Sequence, residues 1–169
     1  MTMAIQLARV DSRLLHGQVA TVWTKAIRPN RILVVSDTVA HDKLRKTLIM
    51  QAAPAEVKAN VITVAKMVQI YRDVRFDQFK PLILTETLGE MSQLVAQGID
   101  LSEIGVDVGN LAYTVHKTML TPSVAADEAD VTAAQQLAQA GVAVYAQTVP
   151  TDRQQDFLAL AQKKGLMPA

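Results

Sequence analysis

The chain has 169 residues, of which half are hydrophobic and a fifth are charged, and its formal net charge is +1. The near-neutral charge excludes a strong electrostatic attraction to nucleic acid or to an anionic membrane. The absence of cysteine excludes disulfides, thiolate metal sites and cysteine nucleophiles, and is typical of a reducing cytosol. The length suits one domain with a sizeable core, so we take residues 1–169 as a single domain.

The opening residues, MTMAIQLARVDSR, lack the long apolar stretch of a signal peptide. No run of about 18 apolar residues occurs anywhere in the chain. We therefore expect a cytoplasmic protein without a membrane span.

Short apolar runs alternate along the chain with segments of helical period. The runs predict strands at residues 4–10, 31–36, 57–64, 81–86, 104–109 and 142–148. The periodic segments predict helices at residues 17–27, 42–53, 65–73, 87–98, 127–141 and 151–165. Nearly continuous apolar strands are typical of a parallel sheet covered on both faces. We therefore predict an α/β fold, a three-layer αβα sandwich with a mainly parallel open sheet.

Polar caps and glycines mark several helix ends. Thr87 and Glu90 form a capping box, and we expect Thr151 to begin the last helix. In helix 17–27 the spacing places Val19, Val22, Trp23 and Ala26 on one face. In helix 42–53, Leu44, Leu48 and Gln51 recur at helical spacing. Residues 110–126 have no helical period and leave room for a strand near 118–125, and the predicted sheet allows an antiparallel edge strand.

The stretch DSRLLHGQV, residues 11–19, holds the candidate functional residues. It connects the end of the first strand, near Arg9 or Val10, to a helix that begins near Gly17. In open α/β sheets, binding sites lie beyond the carboxyl ends of the strands. The first amides of a helix have no intrahelical partner and favour anions. We therefore expect an anion site at this loop.

His16 lies at this predicted helix start, where the positive end of the helix dipole favours a neutral, nucleophilic imidazole. A neutral imidazole can attack phosphorus. Ser12 and Arg13 add hydrogen-bond donors, and the helix start at Gly17 and Gln18 adds backbone amides, all suited to a transferred phosphoryl group. The residues therefore provide a chemical rationale for a phosphohistidine site.

Other interpretations remain open on the residues alone. His16 can cap a helix or fill a pocket, and Arg13 can pair with Asp11, which we read as structural or orienting. A non-catalytic phosphate- or nucleotide-binding module, or a regulatory interaction module, would use the same helix-start physics. A response-regulator receiver is disfavoured, because the first strand ends in a lone acid. The three histidines are scattered, so no metal site is expected.

Residues 8–25, ARVDSRLLHGQVATVWTK, closely resemble the opening of the EIIB subunits of the mannose/fructose/sorbose family of the bacterial sugar phosphotransferase system. That family typically reads Arg-Ile-Asp-x-Arg-Leu-Ile-His-Gly-Gln-Val. The resemblance continues in residues 31–54, 106–111 and 123–152, and so covers nearly the whole chain. It favours the phosphohistidine interpretation strongly.

The resemblance implies a relay of a phosphoryl group without any cofactor. His16 matches the phosphorylated histidine, with Nδ1 as the reactive nitrogen, and Arg13 matches an arginine that helps to bind the phosphoryl group. Ser12 stands at a variable position. The implied donor is an EIIA phosphohistidine, and the acceptor is a sugar imported by the membrane EIIC/EIID complex, with which EIIB associates peripherally.

The sugar and the oligomeric state are not readable from the chain. The stretches VGNL and QTVPTD lean towards the branch that handles N-acetylated amino sugars such as N-acetylgalactosamine, with mannose, fructose and sorbose left open. A homo-oligomer is equally compatible with the sequence.

Overall fold

The computed structural model describes residues 2–168. Its strands are β1 (Leu7–Asp11), β2 (Arg31–Val35), β3 (Lys58–Ile62), β4 (Pro81–Thr85), β5 (Val106–Asn110), β6 (Thr118–Thr121), β7 (Val124–Ala126), β8 (Val144–Ala146) and β9 (Gln155–Asp156). Seven of them form an open sheet in the order β3–β2–β4–β1–β5–β8–β9, with every pair parallel except β8 and β9. The predicted α/β class is confirmed.

The antiparallel edge strand is β9, which pairs with β8. The segment 110–126, where the sequence left room for one strand, holds two. Strands β6 and β7 form a separate antiparallel pair.

The helices connect the strands on both sides of the sheet. They are α1 (Thr24–Ile27), α2 (Asp37–Ala40), α3 (Lys43–Gln51), α4 (Val64–Tyr71), α5 (Leu88–Ala96), α6 (Glu128–Gln139) and α7 (Phe157–Lys163). A π-helix, Val19–Trp23, runs directly into α1, and a 3-10 turn spans Val74–Phe76. No helix within residues 2–168 is long and apolar enough to cross a membrane.

Local capping sets the helix starts. The capping box between Thr87 and Glu90 is present at α5, as predicted. The prediction that Thr151 begins the last helix is wrong, because Asp156 caps α7 by accepting a 2.8 Å hydrogen bond from the Ala159 amide. Residues 155 and 156 pair with β8 first, so the chain turns helical only after this edge strand.

The sheet separates two apolar cores, which gives the predicted three layers. Helices α4 to α7 pack against one face in the larger core, and the segment 19–27 with α2 and α3 packs against the other. Successive strand residues point to opposite faces. In β1, Ala8 and Val10 therefore enter the larger core, while Leu7 enters the smaller one. Arg9 and Asp11 share the face of Leu7, so two charged side chains lie at the smaller core.

Two helices present a different face from the one that apolar spacing suggests. Val22 is 41% exposed and Ala26 is also exposed, although Val19 and Trp23 are buried, because the π-helical turn changes the phase of the segment. On α3, Leu44 and Leu48 are 71% and 56% exposed. Their side chains therefore face solvent.

Candidate functional site

The candidate loop directly follows β1, the strand that lies between β4 and β5 in the sheet. The sequence analysis ended this strand near Arg9 or Val10, but it continues to Asp11. The helical segment begins at Gly17, as predicted. Residues 12–16 therefore form a short loop at the carboxyl edge of the sheet, where α/β proteins bind ligands.

The loop is held tightly by its own backbone. The carbonyl of Asp11 accepts a 2.9 Å hydrogen bond from the Leu14 amide, and Asp11 Oδ1 accepts one of 2.9 Å from the Arg13 amide. Leu14 adopts a φ of +57°, which a leucine rarely adopts, and its side chain is fully buried in the smaller core. Burial of Leu14 and Leu15 thus compensates for the strained backbone and holds the backbone in place at His16, which follows them.

His16 has one ring nitrogen engaged and one available. Its Nε2 lies 3.0 Å from Asp11 Oδ2, and its side chain is 22% exposed. An ionised carboxylate only accepts hydrogen bonds, so this contact places the proton on Nε2 and the lone pair on Nδ1. Among residues 2–168, no group bonds to Nδ1. The free nitrogen is therefore the nucleophilic one.

Backbone donors follow this histidine at the helix start. The first intrahelical bond runs from the Ala20 amide to the His16 carbonyl, at 2.8 Å. The amides of Gly17, Gln18 and Val19 precede it and have no helical acceptor by position. Gly17 is exposed, and an added Cβ there would meet nothing within 4 Å. This end of the helix can accept an anion.

Arg9, which the sequence analysis did not select, is the cation that pairs with Asp11. It is fully buried, and its Nη2 and Nε atoms lie 3.3 Å and 3.4 Å from Asp11 Oδ2. The alternative in which Arg13 pairs with Asp11 is therefore wrong for the side chains. The Arg13 side chain is exposed and has no hydrogen bond or ion pair within residues 2–168.

A second buried carboxylate lies on the other side of Arg9. Arg9 Nη1 lies 2.7 Å from Asp107 Oδ2 and 3.0 Å from the Gln147 carbonyl oxygen. The guanidinium also lies 5.0 Å from the centre of the Trp23 ring. Burial raises the pKa of Asp107 to about 7, against the opposing effect of the Arg9 charge.

Gly109 makes room for this arrangement. A Cβ at this position would lie 2.0 Å from Arg9 Cζ, which is impossible without displacing the guanidinium. The sequence carried a signal for this cluster: Arg9 interrupts one apolar strand, Asp107 interrupts another, and a glycine follows Asp107 two residues later. A buried charge in such a strand needs a partner of opposite sign.

Ser12 ties the loop to the neighbouring strand. Its hydroxyl donates to Asn110 Oδ1 at 2.9 Å and accepts from the Ala112 amide at 3.1 Å. The one hydroxyl proton is thus already used. Within residues 2–168, no cluster of three or more His, Asp or Glu side chains is arranged to hold a metal ion.

The chain is similar to known proteins over nearly its whole length. The family model described as "PTS system sorbose subfamily IIB component" matches residues 5–168. The chain belongs to this family. It is an EIIB component of the sugar phosphotransferase system and hence a phosphotransferase, and its family partners are other components of that system.

Relatives of this EIIB carry several sugar names. It is 40% identical to the sorbose-specific EIIB component of Lacticaseibacillus casei, over 93% of this chain and 94% of the relative. It is 39% identical to the mannose-specific EIIAB component of Escherichia coli K12, over 95% of this chain and 49% of the relative. The IIBSor domain of the Klebsiella pneumoniae sorbose permease has a TM-score of 0.92 at 32% identity, covering 98% of this chain and all of that one.

Proposed function

We propose that Nδ1 of His16 accepts a phosphoryl group from the phosphohistidine of an EIIA protein and passes it to a sugar at the membrane EIIC/EIID complex. The observation that carries this proposal is the 3.0 Å contact between His16 Nε2 and Asp11 Oδ2. It leaves Nδ1 as the free nucleophile at the edge of the sheet, beside a helix start that favours anions.

Each transfer exchanges one bond at phosphorus. The lone pair of Nδ1 attacks the phosphorus of the donor phosphohistidine as the donor N–P bond breaks, and the electron pair returns to the donor imidazole. In the second step a sugar hydroxyl oxygen attacks the same phosphorus, and the hydroxyl proton passes to solvent water. The Nδ1–P bond breaks, and its electron pair returns to His16. The Nε2 proton stays on Asp11's side of the ring throughout.

The surrounding donors have separate roles in this proposal. Arg13 is exposed and unpaired within residues 2–168, so its guanidinium is available to grip two phosphoryl oxygens. The amides of Gly17 and Gln18 add donors at the helix start. Ser12 shapes the loop through Asn110, and a direct phosphate contact would require its hydroxyl to release this partner. No step requires a cofactor or a metal ion.

The partly exposed His16 must meet both donor and acceptor through the same opening. We therefore propose that EIIA and the membrane complex dock in turn on the face around residues 11–18. The fusion of EIIA and EIIB in the E. coli mannose relative supports EIIA as the donor, because that fusion keeps the two in proximity. The names of the relatives span sorbose and mannose, and we place the selection of the sugar mainly in the membrane subunits.

Mass spectrometry of the phosphorylated chain tests this proposal. The chain is incubated with phosphoenolpyruvate, the general phosphotransferase proteins and an EIIA protein. We expect one acid-labile, base-stable phosphoryl group on His16, its loss in His16→Ala, and normal labelling in the controls His41→Ala and His116→Ala. Label that persists in His16→Ala contradicts the assignment. Phosphate that binds without a covalent adduct would support the non-catalytic binding module instead.

A further inference from the structure

Asp107 has the closest contact with the arginine that holds Asp11. Its Oδ2 lies 2.7 Å from Arg9 Nη1, whereas the two contacts from Arg9 to Asp11 measure 3.3 Å and 3.4 Å. A charge-assisted N–H···O bond is normally 2.7–2.9 Å long. Arg9 is therefore bound at full strength by Asp107 and only loosely by Asp11.

The position of Asp107 is itself fixed from two sides. It lies in register beside Arg9 on β1 and beside Tyr145 on β8, so the three side chains project from one face of the sheet. Its Oδ1 accepts a 3.0 Å hydrogen bond from the Gln147 amide, while the Gln147 carbonyl accepts from Arg9. Arg9, Asp107 and the backbone at Gln147 thus form a closed ring of hydrogen bonds.

A buried ion cluster of this kind is weak evidence for stability, because burial of the charges costs about as much as their attraction returns. Its effect on geometry is clearer. With Asp107 in place, Arg9 is drawn towards β5, and Asp11 Oδ2 keeps the capacity to accept the proton-bearing Nε2 of His16. Without Asp107, the Arg9 guanidinium can move closer to Asp11 and compete with His16 for the same carboxylate oxygen.

We propose that Asp107 is a positioning residue for phosphoryl transfer, which acts through Arg9 and Asp11 to hold His16 with its proton on Nε2. The proposal rests on the function proposed for His16. Asp107 touches neither His16 nor a phosphoryl group, and its effect is transmitted by two contacts, from Asp107 to Arg9 and from Arg9 to Asp11.

The test compares Asp107→Asn with Asp130→Asn. Asp130→Asn also removes one carboxylate from a largely buried position. Asp130 pairs with Lys117 at 3.2 Å and completes the capping box of α6 by accepting from the Asp127 amide, far along the chain from the loop. Nitrogen-15 NMR of the unphosphorylated chain at about pH 8 reports which ring nitrogen of His16 carries the proton. We expect a protonated Nε2 in the wild type and in Asp130→Asn, and a mixture of the two tautomers in Asp107→Asn.

Single-turnover phosphorylation by phospho-EIIA gives the second measurement. At about pH 8 we expect Asp107→Asn to accept the group roughly 10-fold more slowly, as loss of an outer hydrogen-bonding partner typically causes. The difference should shrink towards pH 6, since burial raises the pKa of Asp107 to about 7 and the protonated acid is neutral like asparagine. The charged groups that face Asp107 are Arg9 and Asp11. The Tyr145 phenol, whose pKa burial raises to about 12, is neutral in this range.

Three outcomes would overturn the proposal. They are an unchanged tautomer in Asp107→Asn, a wild-type rate at pH 8, and an equal loss of rate in Asp130→Asn. If Asp107→Asn does not fold, a pH titration of the wild type followed by NMR provides the test. The side-chain nitrogen signals of Arg9 must shift with the same midpoint as the carboxyl carbon of Asp107. Since the tautomer is measured without phosphate, failure of His16 labelling would refute the proposed function separately.

Discussion

Asp11 Oδ2 lies 3.0 Å from Nε2 of His16, and the same oxygen lies 3.3 Å from the Nη2 of buried Arg9. One carboxylate oxygen therefore joins the partly exposed imidazole of His16 to the buried guanidinium of Arg9. The contact with Asp11 orients the His16 ring. Because Arg9 pairs with Asp11, the side chain of Arg13 in the loop is left in solvent. The consequences for Arg13, for the glycine beside Arg9, for pH and for the last helix can each be measured.

Substitution of Arg13 should slow transfer without changing stability. Arg13→Ala removes a guanidinium that can offset the charge of roughly −2 on a phosphoryl group, and loss of such a donor costs about 2–4 kcal/mol of barrier. Arg13→Lys keeps the charge but loses the bidentate grip, so its rate should fall less. Because the side chain has no partner within residues 2–168, the free energy of unfolding should change by no more than about 0.5 kcal/mol.

Single-turnover transfer from the phosphorylated variants to sugar, measured beside thermal melts, checks this prediction. Wild-type transfer combined with a lowered Tm would assign Arg13 to the scaffold instead.

Gly109→Ala should disturb the site although Gly109 is not part of the loop. The new Cβ would lie 2.0 Å from Arg9 Cζ, so the guanidinium must move away from both of its carboxylates. Overpacking of this kind typically costs about 1–3 kcal/mol, and phosphorylation of His16 should fall as well. Gly89→Ala is the matched control, because its Cβ would meet only Thr87 Oγ1, at 3.7 Å. Equal melting curves and equal labelling for both variants would show that Arg9 is not confined as described.

The free energy of unfolding should depend on pH through Asp107. Burial raises its folded-state pKa from 3.8 to about 7, so the folded chain binds a proton more tightly than the unfolded chain does. The resulting stabilisation is complete below about pH 4 and is lost as the pH rises through 7. Asp107→Asn removes this dependence, so the stability of the variant relative to the wild type should increase from pH 4 to pH 8. Urea denaturation across this range measures it, and parallel curves would contradict the raised pKa.

The start of α7 gives a prediction about stability alone. Asp156 accepts a 2.8 Å hydrogen bond from the Ala159 amide, so Asp156→Ala should destabilise the chain by about 0.5–2 kcal/mol. Thr151 is exposed and lies outside the helix, so Thr151→Ala should change stability by less than about 0.5 kcal/mol. Chemical denaturation of the two variants separates them, and the reverse order would restore Thr151 as the cap.

Sequence reasoning predicted the layers of the fold because its strands and helices carry local signals. Strand β4 is an uninterrupted run of buried residues, and the box from Thr87 to Glu90 marks α5 directly. The two-residue strand β9 is too short to have a periodicity, so the start of α7 was misplaced. The π-helical turn shifts the phase of Val22 by a backbone hydrogen bond that no residue pattern encodes.

The site was predictable as far as its residues are neighbours in sequence. His16, Arg13 and the helix start lie within one loop, and their chemistry is readable from their types. Arg9 and Asp107 are 98 residues apart, and only the pairing of β1 with β5 brings their side chains to 2.7 Å. Partners that meet through strand register cannot be read from local spacing.

The place of β1 in the sheet has a consequence for how the molecule opens. All five of its residues are buried, and both of its edges are hydrogen-bonded, to β4 and to β5. Hydrogen exchange at such a strand requires global unfolding, whereas the two-residue edge strand β9 can detach by local fraying. The chain can therefore open locally around residues 150–156 while β1, from which the loop of residues 12–16 extends, stays hydrogen-bonded on both edges.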